Sequence, residues 1–158
     1  MRRPFQSPRL LLTATGIATA IIAGGASAAL AGGASPVAKT TVHFRNTLIG
    51  AEVGGGNENV FDIRGSRRGA GIQFVRPNAA GTGGSYTSTS YFGVGTAVEA
   101  GHYTASPGKN GIVNVRSRGR FVRGTGLFKH ISGKFTASGT LNPRTGHLRA
   151  VVVGTQRY

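Results

Sequence analysis

Carboxylates are scarce in this sequence, and their number limits the chemistry that the chain can perform. The acidic residues are Glu52, Glu58, Asp62 and Glu99, against 19 lysines and arginines in 158 residues. A carboxylate held in an apolar site can donate or accept a proton near neutral pH. We therefore take Asp62 and Glu99 as candidate catalytic residues. If Asp62 faces solvent instead, it forms an ordinary surface pair with Arg64.

Other common catalytic and metal-binding arrangements are missing from the sequence. There is no cysteine, which excludes a disulfide framework, thiolate metal ligands and a cysteine nucleophile. The four histidines lack the spacing of metal ligands, and no G-x-S-x-G motif marks a serine nucleophile. The glycine-rich segments 81–84 and 93–95 do not lead into a helix, so they do not have the context of phosphate-binding loops. We expect neither a metal ion nor a cofactor.

Part of the formal net charge of +15 is concentrated in a row of arginines. Arg116, Arg118 and Arg120 alternate along one predicted strand and therefore share a face, and Arg123 follows closely. These four are candidate anion-binding residues, for a cell-wall polymer, a polysaccharide, extracellular nucleic acid or acidic lipid. A solvated barrel exterior is the alternative. We expect no specific nucleic-acid recognition, because no aromatic residue is interleaved with the arginines.

The first 31 residues have the layout of a secretory signal peptide. A basic leader, residues 1–9, precedes an apolar run from Leu10 to Ile22 that is too short to span a membrane. Two A-x-A cleavage sites follow before Gly32. We expect residues 1–31 to be removed during general or twin-arginine export, which leaves a secreted, extracellular protein without a transmembrane segment. Residues 32–38 are predicted to be a flexible lead-in.

Short β-strands must position the candidate side chains in the remaining domain, residues 39–158. Apolar, β-branched and aromatic residues alternate with polar ones between Gly, Pro and Asn breaks, and no long helical period occurs. The predicted strands are 40–49, 59–64, 69–76, 85–94, 96–104, 112–118, 119–126, 134–141 and 147–156. A spacing of roughly 8–12 residues predicts an all-β barrel or sandwich, and its evenness favours an up-and-down barrel. Glycines within strands, such as Gly101 and Gly119, are expected at bulges or tight bends.

Several steps along residues 62–158 resemble motifs of dirigent proteins and of the related allene oxide cyclases. The steps are Phe121–Phe128 (FVRGTGLF), Ile131–Gly133, Asn142–Gly146, Tyr91–Gly93 and Gly69–Val75. The resemblance implies a single eight-stranded antiparallel barrel, often trimeric, that encloses a small apolar cavity. A trimer or dimer is therefore expected. The Gly-Thr-Gly step would also let the backbone turn sharply, so that Phe128 folds back and plugs one end of the barrel.

The resemblance also implies a kind of activity. Enzymes of this family hold reactive, apolar oxygenated molecules in a dry pocket, where orientation and exclusion of water guide cyclisation or coupling without a cofactor. The candidate ligand-binding residues are Phe74, Tyr91, Phe92 and Phe128. Family cyclases use a Glu on the first strand, and the predicted first strand, 40–49, has no carboxylate. Whether the chain is an isomerase-like or dirigent-like enzyme therefore stays open.

Two functions follow from these observations. In the first, an exported barrel of this type binds a small apolar oxygenated molecule and, in its stronger form, steers the cyclisation or coupling of that molecule. In the second, a non-catalytic secreted basic barrel binds anionic cell-surface polymers through the arginine row. The interior of the barrel discriminates between them: a wide cavity with polar groups supports the first function, and a lumen filled by side chains excludes it.

Overall fold

Alternation of inward and outward side chains organises residues 40–158, the part of the chain that the computed structural model describes. The strands are β1 Thr41–Val53, β2 Glu58–Gly65, β3 Gly69–Pro77, β4 Gly83–Phe92, β5 Gly95–Pro107, β6 Val113–Gly124, β7 Ser132–Leu141 and β8 His147–Arg157. Each strand pairs antiparallel with the next one in the chain. β8 pairs with β1 in the same way, which closes the barrel and leaves no free sheet edge.

This architecture confirms the predicted fold class, an all-β, eight-stranded antiparallel barrel. The predicted signal peptide, residues 1–31, and the predicted lead-in, residues 32–38, lie outside the described residues. Within residues 40–158, no helix has both the length and the apolar character needed to cross a membrane.

One long strand replaces two predicted short ones, because β6 continues unbroken through Gly119. A Cβ at Gly119 would overlap the Tyr86 hydroxyl and the Phe135 ring, both of which occupy the lumen. Gly101 pairs with Gly119 across β5 and β6, and a Cβ there would lie 2.7 Å from the Tyr86 hydroxyl oxygen. These glycines make room for aromatic rings, and because the strand pairing is regular through both of them, neither marks a β-bulge.

A β-bulge does occur between β5 and β6, beside Glu99. Val98 pairs with Arg123 and Glu99 pairs with Phe121, which leaves Val122 as the extra residue on β6. Val122 and Arg123 are consequently both exposed, although they are neighbours in sequence. The bulge thus keeps Phe121 facing inward while Arg123 stays on the outside with the other arginines of β6.

The connections between strands divide the barrel into two unlike ends. The turns 54–57, 78–82, 108–112 and 142–146 surround one end, which we call the mouth. The other end, which we call the plugged end, carries the short 3₁₀ helix Gly126–Phe128 between β6 and β7. Both ends of the described chain, Thr40 and Tyr158, also lie at the plugged end because β1 starts there and β8 finishes there.

Phe128 closes the plugged end. Gly126 adopts a φ of +58°, a left-handed conformation that glycine accepts without steric cost, and the chain there turns into the 3₁₀ helix. The Phe128 side chain is 1% exposed and packs against Ala97 and Ile131, with its ring centroid 5.2 Å from that of Phe92. The expectation that Phe128 folds back over one end of the barrel is confirmed.

Candidate ligand site in the barrel lumen

The barrel encloses a cavity of about 400 Å³ that extends to the mouth, where Gly56 and Gly81 of the surrounding turns line it. Small-molecule sites in proteins occupy about 300–1,000 Å³. The lumen is therefore not filled by side chains, which was the condition that would have excluded a binding function. The side chains that line it form two walls of different character.

One wall is largely apolar and is built by β6, β7, β8 and the start of β1. Its main residues are Phe44, Val115, Phe121, Phe135, Ala137 and Val152. Phe121 lies at its centre, with its ring centroid 5.9 Å from that of Phe44 and 5.4 Å from that of Phe135, in tilted arrangements. Tilted aromatic contacts at this distance are favourable, and the faces that they leave open suit an apolar skeleton.

The facing wall carries a continuous row of polar residues across β1 to β5. The row consists of Glu52, Asn59, Gln73, Ser88 and Glu99, each paired directly with the next across neighbouring strands. All five line the cavity, and Asn59 Nδ2 donates a hydrogen bond of 3.2 Å to Gln73 Oε1. Because the strands of a closed barrel are tilted to its axis, the row runs obliquely, from Glu52 beside the mouth to Glu99 deep inside.

Glu99 is the acid of the inner lumen. The Ser90 hydroxyl donates to its carboxylate, with oxygen distances of 3.1 Å to Oε1 and 3.4 Å to Oε2. Burial raises the pKa of Glu99 to about 7, and the Ser90 hydrogen bond only partly opposes the rise. Ser88 faces the same carboxylate and lowers the pKa to a smaller degree, although its hydroxyl makes no hydrogen bond of ordinary geometry. Glu99 is therefore poised to accept or donate a proton near neutral pH.

Two buried hydroxyls beside Glu99 have no hydrogen-bond partner of ordinary geometry within residues 40–158: Tyr86 Oη and Ser88 Oγ. Burial raises the pKa of Tyr86 to about 12; hydrogen bonding to the Ser117 side chain opposes the rise, and the negative charge of Glu99 adds to it. Tyr86 thus keeps its proton at any physiological pH. The Tyr86 and Ser88 side chains line the cavity, but their hydroxyl oxygens are buried in the wall of the barrel.

Arg67 lines the plugged end of the cavity, where other residues already engage its guanidinium. Its Nη2 donates a hydrogen bond of 2.8 Å to Tyr158 Oη, and its Cζ lies 5.1 Å from the centroid of the Phe128 ring. Its backbone N–H donates to Asn46 Oδ1 at 3.3 Å. Arg67 therefore stabilises the packing around Phe128 at the plugged end. Within residues 40–158 it forms no ion pair with Glu99.

Of the predicted site residues, Glu99, Phe92 and Phe128 line the cavity. Asp62 does not, because it lies on the outside of β2 with its side chain 63% exposed. Its Oδ2 is 3.6 Å from Arg64 Nη2, so the pair is the ordinary surface pair that the sequence left as an alternative. Asp62 is therefore not an acid of the lumen, where the resemblance would place a catalytic carboxylate.

Tyr91 and Phe74 do not line the cavity either, since they are 52% and 50% exposed on the outside of the barrel. Successive residues of a strand point to opposite faces, so Tyr91 cannot face inward where Phe92 does. On β3, Gln73 and Val75 take the inward positions and leave Phe74 outside.

Sequence reasoning also missed several lumen residues. β1 extends beyond the predicted 40–49 and includes Glu52, so the first strand does carry a carboxylate, at the mouth. Tyr86, Ser88 and Ser90 occupy alternate positions of β4 on the same face as Phe92. That alternation, together with Phe92 as an inward marker, was the signal in the sequence that could have found them.

The outside of β6 carries the predicted arginine row. Arg116, Arg118, Arg120 and Arg123 are all exposed. Arg118 pairs with His102 on β5, and Arg120 pairs with Lys134 on β7, so these cross-strand neighbours supply no negative charge. Within residues 40–158, no three His, Asp or Glu side chains are grouped as a metal site would require.

Comparison with known proteins adds no family assignment, since no family model, no curated protein and no solved structure matches the chain. The fold and the lumen define the class of the protein by themselves. It is a closed eight-stranded antiparallel barrel with an internal cavity that has one apolar wall and one polar wall.

Proposed function

We propose that this protein binds a small, largely apolar oxygenated molecule in the lumen of its barrel. The observation that carries the proposal is the cavity of about 400 Å³, with aromatic residues on one side and a polar row ending at Glu99 on the other. An apolar skeleton would lie against Phe121 and its neighbours. A ligand oxygen would lie against the polar row on the facing wall, near Glu99.

The motif resemblance to dirigent proteins and allene oxide cyclases supports the same proposal and extends it. A site that holds one conformer of a reactive molecule away from bulk water can steer its cyclisation or coupling without a cofactor. In that extended form, Glu99 is the acid–base group, and the aromatic wall fixes the conformer. An exported protein would carry out this task outside the cell.

The experiment compares two substitutions at neighbouring positions of β7. Ala137 lines the cavity and Thr136 is exposed on the outside, so Ala137→Phe fills the lumen, whereas Thr136→Phe adds the same ring in solvent. Thermal shifts are measured with naphthalene, 2-naphthol and 2-naphthoate. A ligand at about 100 times its dissociation constant stabilises the folded state by about 2.7 kcal/mol.

We expect 2-naphthol to stabilise the unsubstituted protein and the Thr136→Phe variant, and to leave the Ala137→Phe variant unshifted. Equal shifts in the two variants would locate binding outside the lumen and contradict the proposal. Absence of any shift with all three compounds in the unsubstituted protein would contradict it as well.

We infer a second candidate function, binding of an anionic polymer, from the outer surface of β6. The exterior acids Glu58 and Asp62 belong to β2, which lies four strands away around the eight-stranded barrel and thus on its opposite side. Alternate residues of a strand are about 6.8 Å apart, so Arg116, Arg118 and Arg120 present a regular row of cations to a linear polyanion. Such attraction is long-ranged and weakens with salt.

The test of this second function is the salt dependence of binding to inorganic polyphosphate. The triple substitution of Arg116, Arg118 and Arg120 to Ser is compared with the same substitution of Arg144, Arg149 and Arg157, which are exposed elsewhere. We expect the first triple to reduce the slope of log K against log salt concentration by about 2, since each contact contributes about 0.7. Equal reductions in both variants would leave only net charge as the cause and reject a site on β6.

A further inference from the structure

Two exposed apolar side chains lie side by side at the plugged end of the barrel. The connections at this end are residues 66–68, 93–94 and 125–131. Val94 is 45% exposed and Leu127 is 60% exposed, and of the exposed large apolar residues within residues 40–158 they are the two that lie outside the strands. Leu127 N donates a hydrogen bond of 3.0 Å to Val94 O, which makes the two residues neighbours in space. We call this pair the apolar tip.

The backbone beneath the apolar tip is held in place by contacts between the two connections. Thr96 N donates to Thr125 Oγ1 at 3.1 Å, and Thr125 N donates to Thr96 O at 2.9 Å. Gly126 packs so closely that a Cβ there would overlap the carbonyl oxygen of Val94. The same 3₁₀ helix turns Phe128 inward as the plug. Leu127 therefore cannot be buried by a local rearrangement, and the fold keeps it in solvent.

Two more exposed apolar residues lie on the strands that lead into these connections. They are Tyr91 on the outside of β4 and Val122 at the bulge of β6. Single apolar residues on a surface are ordinary, but a group of them at one end of a molecule marks an interaction site. A tyrosine ring with an apolar body and a polar hydroxyl is suited to the boundary between lipid and water.

Exposed cations surround the apolar tip. Arg68 directly precedes Gly69, which pairs with Phe92 beside the 93–94 turn, and Lys129 follows Leu127 by two residues. Arg123 lies next to Val122 on the outside of β6. The three connections contain no Asp or Glu. The nearest outward acid on β2, Asp62, is already paired with Arg64. The plugged end therefore combines an apolar tip with a collar of positive charge.

We propose that the plugged end docks on an anionic lipid surface. Val94 and Leu127 enter the boundary between headgroups and acyl chains, while Arg68, Arg123 and Lys129 lie against the headgroup phosphates. Binding of this kind adds the burial of apolar area to the attraction of each cation for anionic lipid. The mouth, at the opposite end of the barrel, then faces away from the lipid, so the lumen stays open to solvent.

The apolar tip favours a lipid surface over the other partners that a basic protein can have. A linear polyanion has no apolar layer and would leave Val94 and Leu127 in water. A stable protein partner or a second copy of the chain needs an interface of about 800 Å² on each side, which is far more than two side chains provide. A lipid surface needs no such area, because it adapts to the side chains that enter it.

The first experiment measures co-sedimentation with vesicles of phosphatidylcholine, alone or mixed with phosphatidylglycerol. We expect binding to the mixed vesicles, and Leu127→Ser should weaken it about 10-fold. Phe74→Ser is the matched control, because Phe74 is also about half exposed but lies on the outside of β3. All variants carry the same N-terminal residues, so any contribution from these residues is common to all.

A second pair of variants tests the collar of positive charge. The double substitution Arg68→Ser and Lys129→Ser should weaken binding to the mixed vesicles about 30-fold. The double substitution Lys109→Ser and Arg144→Ser removes the same charge from exposed positions in the turns around the mouth. Equal losses in the two double variants would make net charge the cause and overturn docking through the plugged end. Equal losses in Leu127→Ser and Phe74→Ser would overturn it as well.

A fluorescent reporter shows whether the apolar tip enters the lipid. The sequence has no tryptophan, so Leu127→Trp and Phe74→Trp each introduce a single one. With mixed vesicles, we expect the emission of Leu127→Trp to shift to shorter wavelength and to be quenched by brominated acyl chains, and that of Phe74→Trp to stay unchanged. Binding without this shift would place the contact on another face, such as the arginine row, and overturn the proposal. A shift without vesicles that grows with protein concentration would identify a second copy as the partner and overturn it too. Absence of binding to either kind of vesicle also overturns it.

Discussion

A charge without an opposite partner has different consequences in the lumen and on the outer surface of the barrel. Glu99 is enclosed without a cation, and burial raises its pKa to about 7. Arg118 and its neighbours on β6 also lack an opposite charge, but they lie in water, which hydrates and screens them. A single inward charge therefore changes acid–base chemistry, whereas the outward charges act together and at longer range.

Asp62 and Glu99 show that similar local sequences can place a carboxylate either outside the barrel or in its lumen. Asp62 stands between the inward-facing Phe61 and Ile63 and so points outward, where it lies beside Arg64. Glu99 follows Val98 and precedes Ala100, and it points inward next to Phe121. Strand alternation alone decides which acid is enclosed. Substitutions at enclosed and at exposed positions therefore test whether enclosure, rather than residue type, determines the behaviour of each side chain.

The largest effect is expected where the enclosure is closed, at Phe128. Phe128→Ala removes a ring that is 1% exposed and opens the plugged end, so the free energy of unfolding should fall by about 3–5 kcal/mol. Leu127→Ala is the matched control, because Leu127 belongs to the same 3₁₀ helix but is 60% exposed. Denaturation in urea measures both. Equal losses for the two variants would mean that burial at the plug contributes little.

The fold could be predicted from the sequence because the signals for strands and turns are local. Alternation between glycine, proline and asparagine breaks predicted strands that match the observed ones closely, and even spacing predicted closure. Nine short strands were predicted, and the structure has eight because two of the predicted strands form the single strand β6. Gly119 looked like a break, and its role as a space for Tyr86 and Phe135 depends on residues that are distant in sequence.

The residues of the site were harder to predict, because they depend on which face of each strand is turned inward. On β3, Phe74 and Val75 are both apolar, so composition could not choose between the two faces. The polar row from Glu52 to Glu99 exists only through the register of five strands, which no local pattern specifies. Glu99 was identified as a candidate because the sequence has so few acids, whereas its hydrogen-bond donor Ser90 and its cross-strand neighbour Ser88 were missed.

The second effect concerns the dependence of stability on pH. The pKa of Glu99 in the folded state, about 7, lies above its ordinary 4.5, so the folded state holds this proton more tightly than the unfolded state does. The resulting stabilisation is fully present below pH 4.5 and is lost as pH rises through about 7, a change of about 3 kcal/mol. Glu99→Gln removes this loss, so the variant should be more stable than the unsubstituted protein at pH 8 and should gain no such advantage at pH 4.5.

Urea denaturation at several pH values between 4.5 and 8 checks this second prediction. The difference between the two proteins isolates Glu99, because the histidines and the other acids contribute equally to both. Parallel profiles, with a constant offset across the range, would show that the lumen admits enough water to solvate the carboxylate. Enclosure in the lumen would then not explain the acid–base behaviour of Glu99.

The smallest effect is expected at Asp62, which has the same functional group on the other side of the sheet. Its carboxylate is 63% exposed beside Arg64, and exposed pairs of this kind contribute about 0–1 kcal/mol. Asp62→Asn should therefore change the free energy of unfolding by less than 1 kcal/mol, and added salt should shrink even that change. A double-mutant cycle with Arg64→Gln, run at low and high salt, measures the pair term directly. A coupling as large as the effect of Glu99→Gln would mean that residue type, and not enclosure by the barrel, governs how these carboxylates behave.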